Sequence, residues 1–334
     1  MENNQQYINN YLSTLIKEDT TITSEYDTYA VGNSLQQLLD FMNTESTTIF
    51  STGIPTIDEL LGGGLAPSTI SVFGGLCGLG KTTLMLQIAF HLSKTYEKDV
   101  LFIAGEMSYL QLQAKLLSLL SYQIVTEQNL NIEPLSFDEI FHKKLRAKLS
   151  SERVDLLIKA TMKLQENKHL FIRPMVGHTS VEEIKKAIEF HIEKTSNTPI
   201  IIMDYLQNIR EKNSKDEKQT IDNSMYMFNS IAHDYDTPVV LLSSLGRSAY
   251  EKPTIGAVKG SGEIEYGASN VILLTAAEKT AMPAVTSSRA SSRNRPQNPA
   301  GKKVLLTLAK SRFGETDKTS QLNFMGKYNV FTEN

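Results

Sequence analysis

A glycine-rich segment at residues 75–82 constrains the fold more than any other part of the chain. It reads Gly-Leu-Cys-Gly-Leu-Gly-Lys-Thr and matches the pattern G-x-x-x-x-G-K-[ST]. Gly75, Gly78 and Gly80 let successive backbone N–H groups turn inward around phosphate oxygens, where a Cβ atom would block the approach. An apolar run precedes the segment and an amphipathic pattern follows it. This strand–loop–helix context predicts a site for a nucleoside triphosphate.

The residues after the glycines carry the chemistry of the segment. Lys81 is placed to bridge the β- and γ-phosphates, the Thr82 hydroxyl is a ligand for Mg²⁺, and Thr83 is expected to line the same pocket. The following helix directs its positive N-terminus at the phosphates. The alternative is a glycine-rich turn with an incidental lysine, which the flanking strand and helix patterns disfavour. We therefore expect ATP and Mg²⁺ as cofactors.

Apolar runs alternate with helical patterns from residue 51 onward, which predicts an α/β fold with a central, mostly parallel sheet flanked by helices. The runs are almost continuously apolar, as in strands that are buried on both faces. Ser180 and Glu183 have the spacing of a capping box, so a helix is expected to begin there. The strands are predicted at residues 69–73, 100–104, 170–173, 199–204, 238–243, 271–275 and 304–309, and the helices at 82–94, within 109–168, at 181–193 and at 221–233.

Two of these strands end in a carboxylate. Asp204 follows four apolar residues, which places it at the carboxyl edge of a buried strand, where a P-loop protein holds its metal-positioning acid. The alternative role of Asp204 is that of a helix cap or turn residue. Glu106 follows the run at 100–104 and is the candidate that orients and polarises an attacking water. Thr82 and Asp204 are thus the predicted metal ligands.

Composition limits the class of protein. The chain has 334 residues, of which 40% are apolar and 21% are charged, as in ordinary globular proteins. Its longest apolar runs are far shorter than the ~18 residues of a membrane span, and no signal-peptide pattern is visible. A single cysteine, Cys77, fits a reducing compartment. We expect a cytoplasmic protein without membrane contact.

Charge is divided unevenly along the chain. Residues 1–48 carry seven acids and one lysine, whereas residues 279–327 carry ten bases and two acids. The basic third favours a nucleic-acid partner, and a solvated basic surface is the alternative. Two short amphipathic helix patterns, at 7–16 and 34–42, lie in a segment that has no core of its own. We predict a helical N-terminal arm at 1–48, one ATPase domain at 49–334 and a flexible loop at 281–300.

Six ordered motifs besides the P-loop make residues 48–334 resemble the RecA-like ATPase domain of DnaB-type replicative helicases. The resemblance implies a RecA-like P-loop NTPase fold. It also implies that Glu106 is the catalytic base and that Asp204 belongs to the Walker B motif. The six motifs lie at residues 52–60, Glu106-Met-Ser, Asp204-Tyr-Leu-Gln, 243–247, 259–265 and 309–314.

The later motifs imply further nucleotide contacts. Ser244 and Arg247 fall in the third motif of the family, near the nucleotide. Lys310 and Arg312 resemble the lysine and arginine that reach the nucleotide of a neighbouring subunit. Independently of the family, two bases two apart on a strand leave the same face and can stabilise charge on a transferring phosphoryl group. The alternative is a pair of basic residues on a solvated strand face.

The segment Lys259, Gly260, Ser261 and Gly262 resembles the DNA-contacting loop of the family. Its glycines allow backbone N–H groups to approach phosphates, which suits sequence-independent contact with a single strand. The family usually carries an acid where this chain has Gly260, and a glutamine where it has Ser244. A serine hydroxyl is too short to replace that γ-phosphate contact directly.

The resemblance implies a Mg-ATP-dependent DNA helicase or translocase that acts on single-stranded DNA as a ring oligomer, with a hexamer expected. The helical pattern at 34–42 is expected to latch adjacent subunits, and other replication or mobile-element proteins are expected partners. The alternative is a DNA-dependent ATPase without unwinding, such as a replication accessory, a loader or a RecA/KaiC-like regulatory switch. Ser244 and the absence of the family's helical N-terminal domain from the given sequence motivate that alternative.

Overall fold

The computed structural model describes residues 49–175, 179–211, 216–246, 254–258, 260–277 and 301–333. Phe50–Asn334 form one compact unit. Several predictions from the sequence lie outside the described residues. These are the arm at 1–48 with its two helices, the loop at 281–300, and the side chains of Arg247, Lys259 and Ser261.

Nine strands form one sheet in the described part of the chain, in the order β3-β2-β4-β5-β1-β6-β7-β8-β9. The first six strands of this order are parallel, and the pairs from β6 to β9 are antiparallel. The strands are β1 (Ile70–Gly75), β2 (Val100–Ala104), β3 (Leu170–Pro174), β4 (Ile200–Asp204), β5 (Val239–Ser244), β6 (Asn270–Ala276), β7 (Lys302–Ser311), β8 (Thr319–Met325) and β9 (Val330–Thr332).

Helices cover both faces of the sheet. Every residue of β1, β2 and β4 is buried, as the apolar runs predict. The helices are α1 (Pro55–Leu61), α2 (Lys81–Thr95), α3 (Tyr109–Glu127), α4 (Phe137–Phe141), α5 (Lys143–Arg146), α6 (Ser151–Glu166), α7 (Val181–Thr195), α8 (Glu217–Asp234) and α9 (Ser261–Gly267).

Alternation along each strand divides the core into two clusters. Phe73, Phe102 and Ile202 belong to the cluster that includes α2 and α3, and Leu101 and Met203 belong to the cluster that includes α7 and α8. Successive strand residues point to opposite faces, so a run that is buried on both faces feeds both clusters. The prediction of an α/β fold with a mostly parallel central sheet is confirmed.

The sequence analysis was incomplete at the C-terminal edge. It predicted one strand at 304–309 in a parallel sheet, whereas β7 runs antiparallel to β6 and is followed by β8 and β9. Four residues separate β8 from β9, a connection that joins only antiparallel neighbours. β8 was missed because Leu322 is its single buried residue, which leaves a weak apolar signal.

The helical patterns are confirmed with altered bounds. The stretch at 109–168 contains four helices, α3 to α6. Helix α3 ends at Glu127, and Ser136 is the N-cap of α4, where it forms a capping box with Glu139. Ser180 and Glu183 form the predicted capping box of α7.

A carboxylate organises the turn ahead of β1. Asp58 accepts hydrogen bonds from the Thr52 backbone N–H and hydroxyl, each at 2.7 Å, and from the Ser51 hydroxyl. Between them Gly53 has φ +74°, and a Cβ atom there would overlap the His91 ring of α2. This motif therefore needs a glycine for two reasons, its left-handed backbone and its contact with α2.

We predict that Gly53→Ala destabilises the protein more than Gly62→Ala. Gly62 also has a left-handed backbone, with φ +72°, but a Cβ atom added there would meet no atom within 4 Å. Gly62→Ala therefore measures the cost of the left-handed backbone alone. That strain costs about 1 kcal/mol, and displacing the His91 ring is expected to add about 1–3 kcal/mol to the loss in the free energy of unfolding. Urea unfolding of both variants measures the difference. Equal losses would show that α2 yields freely to the added methyl group.

Candidate functional site

The predicted site residues meet at the carboxyl edge of the parallel strands. Asp204 ends β4 opposite Ala104 of β2, and Ser244 ends β5 opposite Gly75 of β1. The Gly105 N–H donates to the Asp204 carbonyl at 2.6 Å, which holds the chain just before Glu106 against the end of β4. Strand register thus brings together segments that are far apart in the sequence.

The P-loop has the backbone that its glycines predict. Gly78 and Gly80 adopt φ +77° and +82°, and Gly80 is the N-cap of α2. The aliphatic chain of Lys81 packs on Gly75, where an added Cβ atom would approach the Lys81 Cδ to 3.0 Å. The loop therefore closes tightly on its own lysine at Gly75, and its other two glycines supply the left-handed backbone of the turn.

The Lys81 ammonium lies within the curve of the loop. Its Nζ donates to the carbonyls of Gly75 and Leu76, at 2.7 and 3.2 Å. Burial lowers the pKa of Lys81, while the nearby charges of Cys77, Asp204 and Glu106 act in the opposite direction. An incoming phosphate would exchange these neutral carbonyl acceptors for anionic ones, which form stronger hydrogen bonds with an ammonium group.

Asp204 is a buried acid with few compensating contacts. It is 3% exposed, and burial raises its pKa to about 6, with the Glu106 charge adding to the rise. The Thr82 hydroxyl bonds to the Asp204 carboxylate, and the charges of Lys81 and Lys115 favour the ionised form. The carboxylate is thus held in a place where water solvates it poorly and a cation would stabilise it.

These side chains fit Mg²⁺. Thr82 at the start of α2 supplies a hydroxyl oxygen, and Asp204 at the end of β4 supplies a carboxylate whose pKa Thr82 lowers. Magnesium binds oxygen ligands and takes only one or two carboxylates from the protein, with the remaining positions filled by phosphate and water. The raised pKa of Asp204 is the electrostatic sign of a carboxylate that lacks its counter-charge.

Glu106 is exposed and lies near the half-buried Thr82 and the buried Asp204. It follows β2 through Gly105, and Ser108 begins α3 two residues later with a capping box to Gln111. The serine of the Glu-Met-Ser segment is therefore a helix cap, which fixes the start of α3. Glu106 contributes electrostatically to the pKa values of Lys81 and Asp204, so its charge lies at the same site.

Gln207 is a residue that sequence reasoning did not assign. It is 5% exposed; its Nε2 donates to the Ser243 hydroxyl at 2.8 Å, and its Oε1 accepts from the Ser244 N–H at 3.1 Å. The Ser244 backbone thus contacts a glutamine side chain from the 3-10 turn Leu206–Asn208, which follows β4, although position 244 itself carries no glutamine. The Asp-Tyr-Leu-Gln motif contained the signal, since its last residue is a polar side chain three residues after the end of a buried strand.

Lys115 is the second residue that was missed. It lies on α3, nine residues after Glu106, and its Nζ donates to the Thr83 hydroxyl at 3.1 Å and to Asn329 Oδ1 at 2.6 Å. Burial lowers its pKa, and the charges of Asp204 and Glu106 oppose that shift. A lysine between buried leucines on an amphipathic helix was the available signal.

The side chains of Lys310 and Arg312 both reach backbone carbonyls at the end of α9, although Arg312 lies one residue beyond β7 and not on the strand as predicted. Lys310 Nζ donates to the carbonyls of Glu265 and Ala268, the latter at 2.7 Å, and Arg312 Nη2 donates to the Tyr266 carbonyl at 2.6 Å. Both cations therefore occupy the C-terminal end of α9, where the helix dipole favours positive charge. The described contacts of the two side chains are within their own chain.

Helix α9 begins within the segment that was predicted to be the DNA loop, because Ser261 and Gly262 belong to its first turn. Gly260 is its N-cap with φ +80°, and a Cβ atom there would meet Ile221 Cδ1 at 2.5 Å. A Cβ atom added at Gly262 would meet no atom within 4 Å, so this side of its backbone faces open space. The ends of α9 thus carry the two groups of residues for which contacts with other molecules were predicted.

The fold and the site together define a RecA-like P-loop NTPase domain. A family model for the C-terminal domain of DnaB-like helicases matches residues 50–333, and this chain belongs to that family. A protein of Trieres chinensis described as a probable replicative DNA helicase is 25% identical over 289 residues, which cover 81% of this chain and 59% of that protein. Across three such relatives the chain spans 51–59% of their lengths.

Solved structures support the same fold. One of them, described as an ATPase domain, superposes with a TM-score of 0.72 at 19% identity, covering 91% of this chain and 99% of that one. A DnaB-like replicative helicase, solved in a study of its interactions with primase, gives a TM-score of 0.71 at 18% identity and covers 99% of this chain and 76% of that one. Within the described residues, no helix has both the length and the apolar character that a membrane crossing requires.

We predict that Asp204→Asn stabilises the nucleotide-free protein at pH 7.5. Because the folded-state pKa of about 6 exceeds the ordinary value of 3.8, the folded protein binds the proton more tightly than the unfolded chain. Stability therefore falls as the pH rises through this window, and the loss is complete above pH 6. Removing the charge should recover about 1–3 kcal/mol in the free energy of unfolding.

Denaturant unfolding between pH 5 and 8 measures this gain, which should shrink toward pH 5. Asp99→Asn is the matched control, since Asp99 is also 3% exposed but accepts from His169 Nδ1 at 2.8 Å and His191 Nε2 at 3.1 Å. The control should destabilise the protein. Destabilisation by Asp204→Asn as well would mean that this carboxylate is a structural acceptor.

Proposed function

We propose that this protein is a Mg-ATP-dependent motor that acts on single-stranded DNA as a ring oligomer and separates strands. The observation that carries the proposal is the convergence of Lys81, Thr82, Asp204 and Glu106 on one edge of the parallel sheet. Membership of the DnaB-like family and the replicative helicase relatives support it. A hexamer is the ring we propose.

The residues divide the work of ATP hydrolysis. The backbone of the P-loop and the Lys81 ammonium would bind the β- and γ-phosphates, and the Thr82 hydroxyl and Asp204 would hold Mg²⁺. Mg²⁺ held there would supply positive charge next to the phosphate oxygens. Glu106 is exposed at the mouth of this site, where its carboxylate orients a water and accepts its proton during attack on the γ-phosphorus.

Lys310 and Arg312 complete the site from a neighbouring subunit. The carbonyls at the end of α9 hold the two cations side by side in the positions described above. Cations that are fixed before the reaction stabilise developing phosphoryl charge without a reorganisation cost. In this proposal turnover requires assembly, because one subunit supplies only part of each site.

DNA contacts are assigned to the first turn of α9 and the residues just before it. The open backbone at Gly262 and the cap at Gly260 suit phosphate contact, and Lys259 and the hydroxyl of Ser261 would add polar groups. Such contacts carry no sequence information, so we propose binding to single strands of any sequence.

A DNA-dependent ATPase without unwinding is the second candidate. Ser244 favours it, because this short side chain leaves the end of β5 without the family's glutamine, and Gln207 from the turn after β4 binds the Ser244 backbone instead. A forked duplex distinguishes the two functions. Strand displacement supports the motor, and ATP turnover without displacement supports the second candidate.

We predict that the protein hydrolyses ATP only with Mg²⁺, that single-stranded DNA stimulates turnover, and that Glu106→Gln reduces kcat by about 100-fold or more. The amide retains the size of the side chain but cannot accept the water's proton. Steady-state hydrolysis over a range of protein concentrations measures these effects, and turnover should rise steeply with concentration if sites form between subunits.

Binding of a fluorescent ATP analogue is the control for this variant. Glu106→Gln should bind the analogue as the wild type does, because the P-loop is intact. Wild-type levels of hydrolysis in the variant would mean that another group is the base. Turnover that is indifferent to DNA would move the assignment to a switch without a DNA partner.

We predict that two inactive variants restore activity when mixed. Lys81→Ala removes a phosphate contact of a subunit's own nucleotide, and Arg312→Ala removes the contact to the neighbour's nucleotide. In mixed rings, an Arg312→Ala subunit beside a Lys81→Ala subunit has one complete site between them. Hydrolysis by the mixture should exceed the sum of the separate variants. If Arg312 acts within its own chain, the mixture gains nothing.

A further inference from the structure

Lys115 ties three parts of the chain together inside the domain. Its Nζ donates to Thr83 on α2 and to Asn329 in the turn between β8 and β9, while its own backbone belongs to α3. The Phe137 ring lies 6.0 Å from the same ammonium. A partly buried ammonium with two fixed acceptors holds the helix that starts after Glu106 at a fixed distance from the helix that starts with the P-loop lysine.

The hydrogen bond to Thr83 connects α3 to the residue next to Thr82, the proposed metal ligand. Thr83 is 2% exposed and is adjacent to Thr82, whose hydroxyl bonds to Asp204. A shift of the ammonium would therefore move the first turn of α2 relative to Glu106. Displacements of about 1 Å in such a supporting group cost about 100-fold in rate when reacting atoms are misplaced.

Charge places Lys115 in the same site. Asp204 and Glu106 both interact electrostatically with its ammonium, as they do with Lys81. Two carboxylates close to each other repel, and each gains from a cation between or beside them. Lys81 is committed to phosphate once ATP binds, whereas Lys115 keeps its own acceptors, Thr83 and Asn329, and adds its charge from α3.

The acceptor on the β8–β9 turn is itself fixed. Asn329 is 4% exposed with φ +52°, and its Nδ2 donates to the Ser118 hydroxyl of α3 at 3.5 Å. In the same turn Lys327 and Tyr328 bind Glu133, which follows α3. The turn is thus held both to α3 and to the segment that follows it.

We propose that Lys115 is a positioning residue for ATP hydrolysis: its ammonium fixes the segment that carries Glu106 relative to the Thr82–Asp204 pair. The inference rests on the proposed function and adds to it a residue that none of the sequence motifs contains. Lys115 is not required to touch ATP. It acts through Thr83, Asn329 and its charge.

The test is the effect of Lys115→Met on the separate kinetic constants. Methionine preserves the length and apolar packing of the side chain but removes the charge and both hydrogen bonds. We expect kcat to fall by about 10- to 100-fold, as for other supporting residues of metal sites, while the KM for ATP changes less than about threefold. ATP binding is preserved because the P-loop backbone and Lys81 provide it.

Two further variants test the mechanism of the effect. Lys115→Arg keeps the charge and the donors and should recover most of kcat. Asn329→Gly removes one acceptor while it accommodates φ +52°, and it should lower kcat less than Lys115→Met does. It also keeps the inference testable if Lys115→Met does not fold.

Lys163→Met is the matched control. Lys163 of α6 also joins two helices, through an ion pair with Glu127 of α3 at 3.1 Å, but it is far in the sequence from every site residue. The kcat of Lys163→Met should equal that of the wild type. A wild-type kcat for Lys115→Met, or equal losses in the two methionine variants, would overturn the proposal while leaving the ATPase function standing. Absence of turnover in the wild type would overturn both.

Discussion

The unsolvated charge of Asp204 is the constraint to which the rest of the site responds. Its carboxylate ends a fully buried strand, so water cannot stabilise it and the protein supplies Thr82, Lys81 and Lys115 instead. These groups do not fully offset the loss of hydration of the carboxylate, because its pKa remains raised. Stability is given up at the point where the proposed metal–nucleotide complex would restore it, which is the usual relation between a functional site and its scaffold.

Strand register connects this site to the neighbouring elements. Gly75 and Ser244 are opposite each other, and the chain after β5 returns to the sheet through a bridge between Leu245 and Val258. Gly260 and α9 follow directly, and the end of α9 holds Lys310 and Arg312. A continuous path of backbone contacts thus runs from the phosphate loop, past the proposed DNA loop, to the proposed trans-acting cations. Such a path is a physical basis for coupling hydrolysis to movement.

The sheet has two parts with different tasks. The six parallel strands place the ends of β1, β2, β4 and β5 at one edge, where the nucleotide chemistry lies. The antiparallel strands β7, β8 and β9 support that edge from the side: Phe324 of β8 packs on Gly80, and Asn329 binds Lys115. The C-terminal strands are therefore part of the site's framework, although no catalytic motif lies in β8 or β9.

The sequence by itself determined the parallel core, the P-loop and the two strand-end acids, because continuous apolar runs, glycine spacing and a terminal carboxylate are local patterns. It did not reveal β8, whose single buried residue gives almost no apolar signal, or the antiparallel direction of the last strands. Nor did it reveal Lys115 and Gln207. Their roles depend on partners 32 to 214 residues away, and only tertiary packing decides which acceptor a buried donor finds.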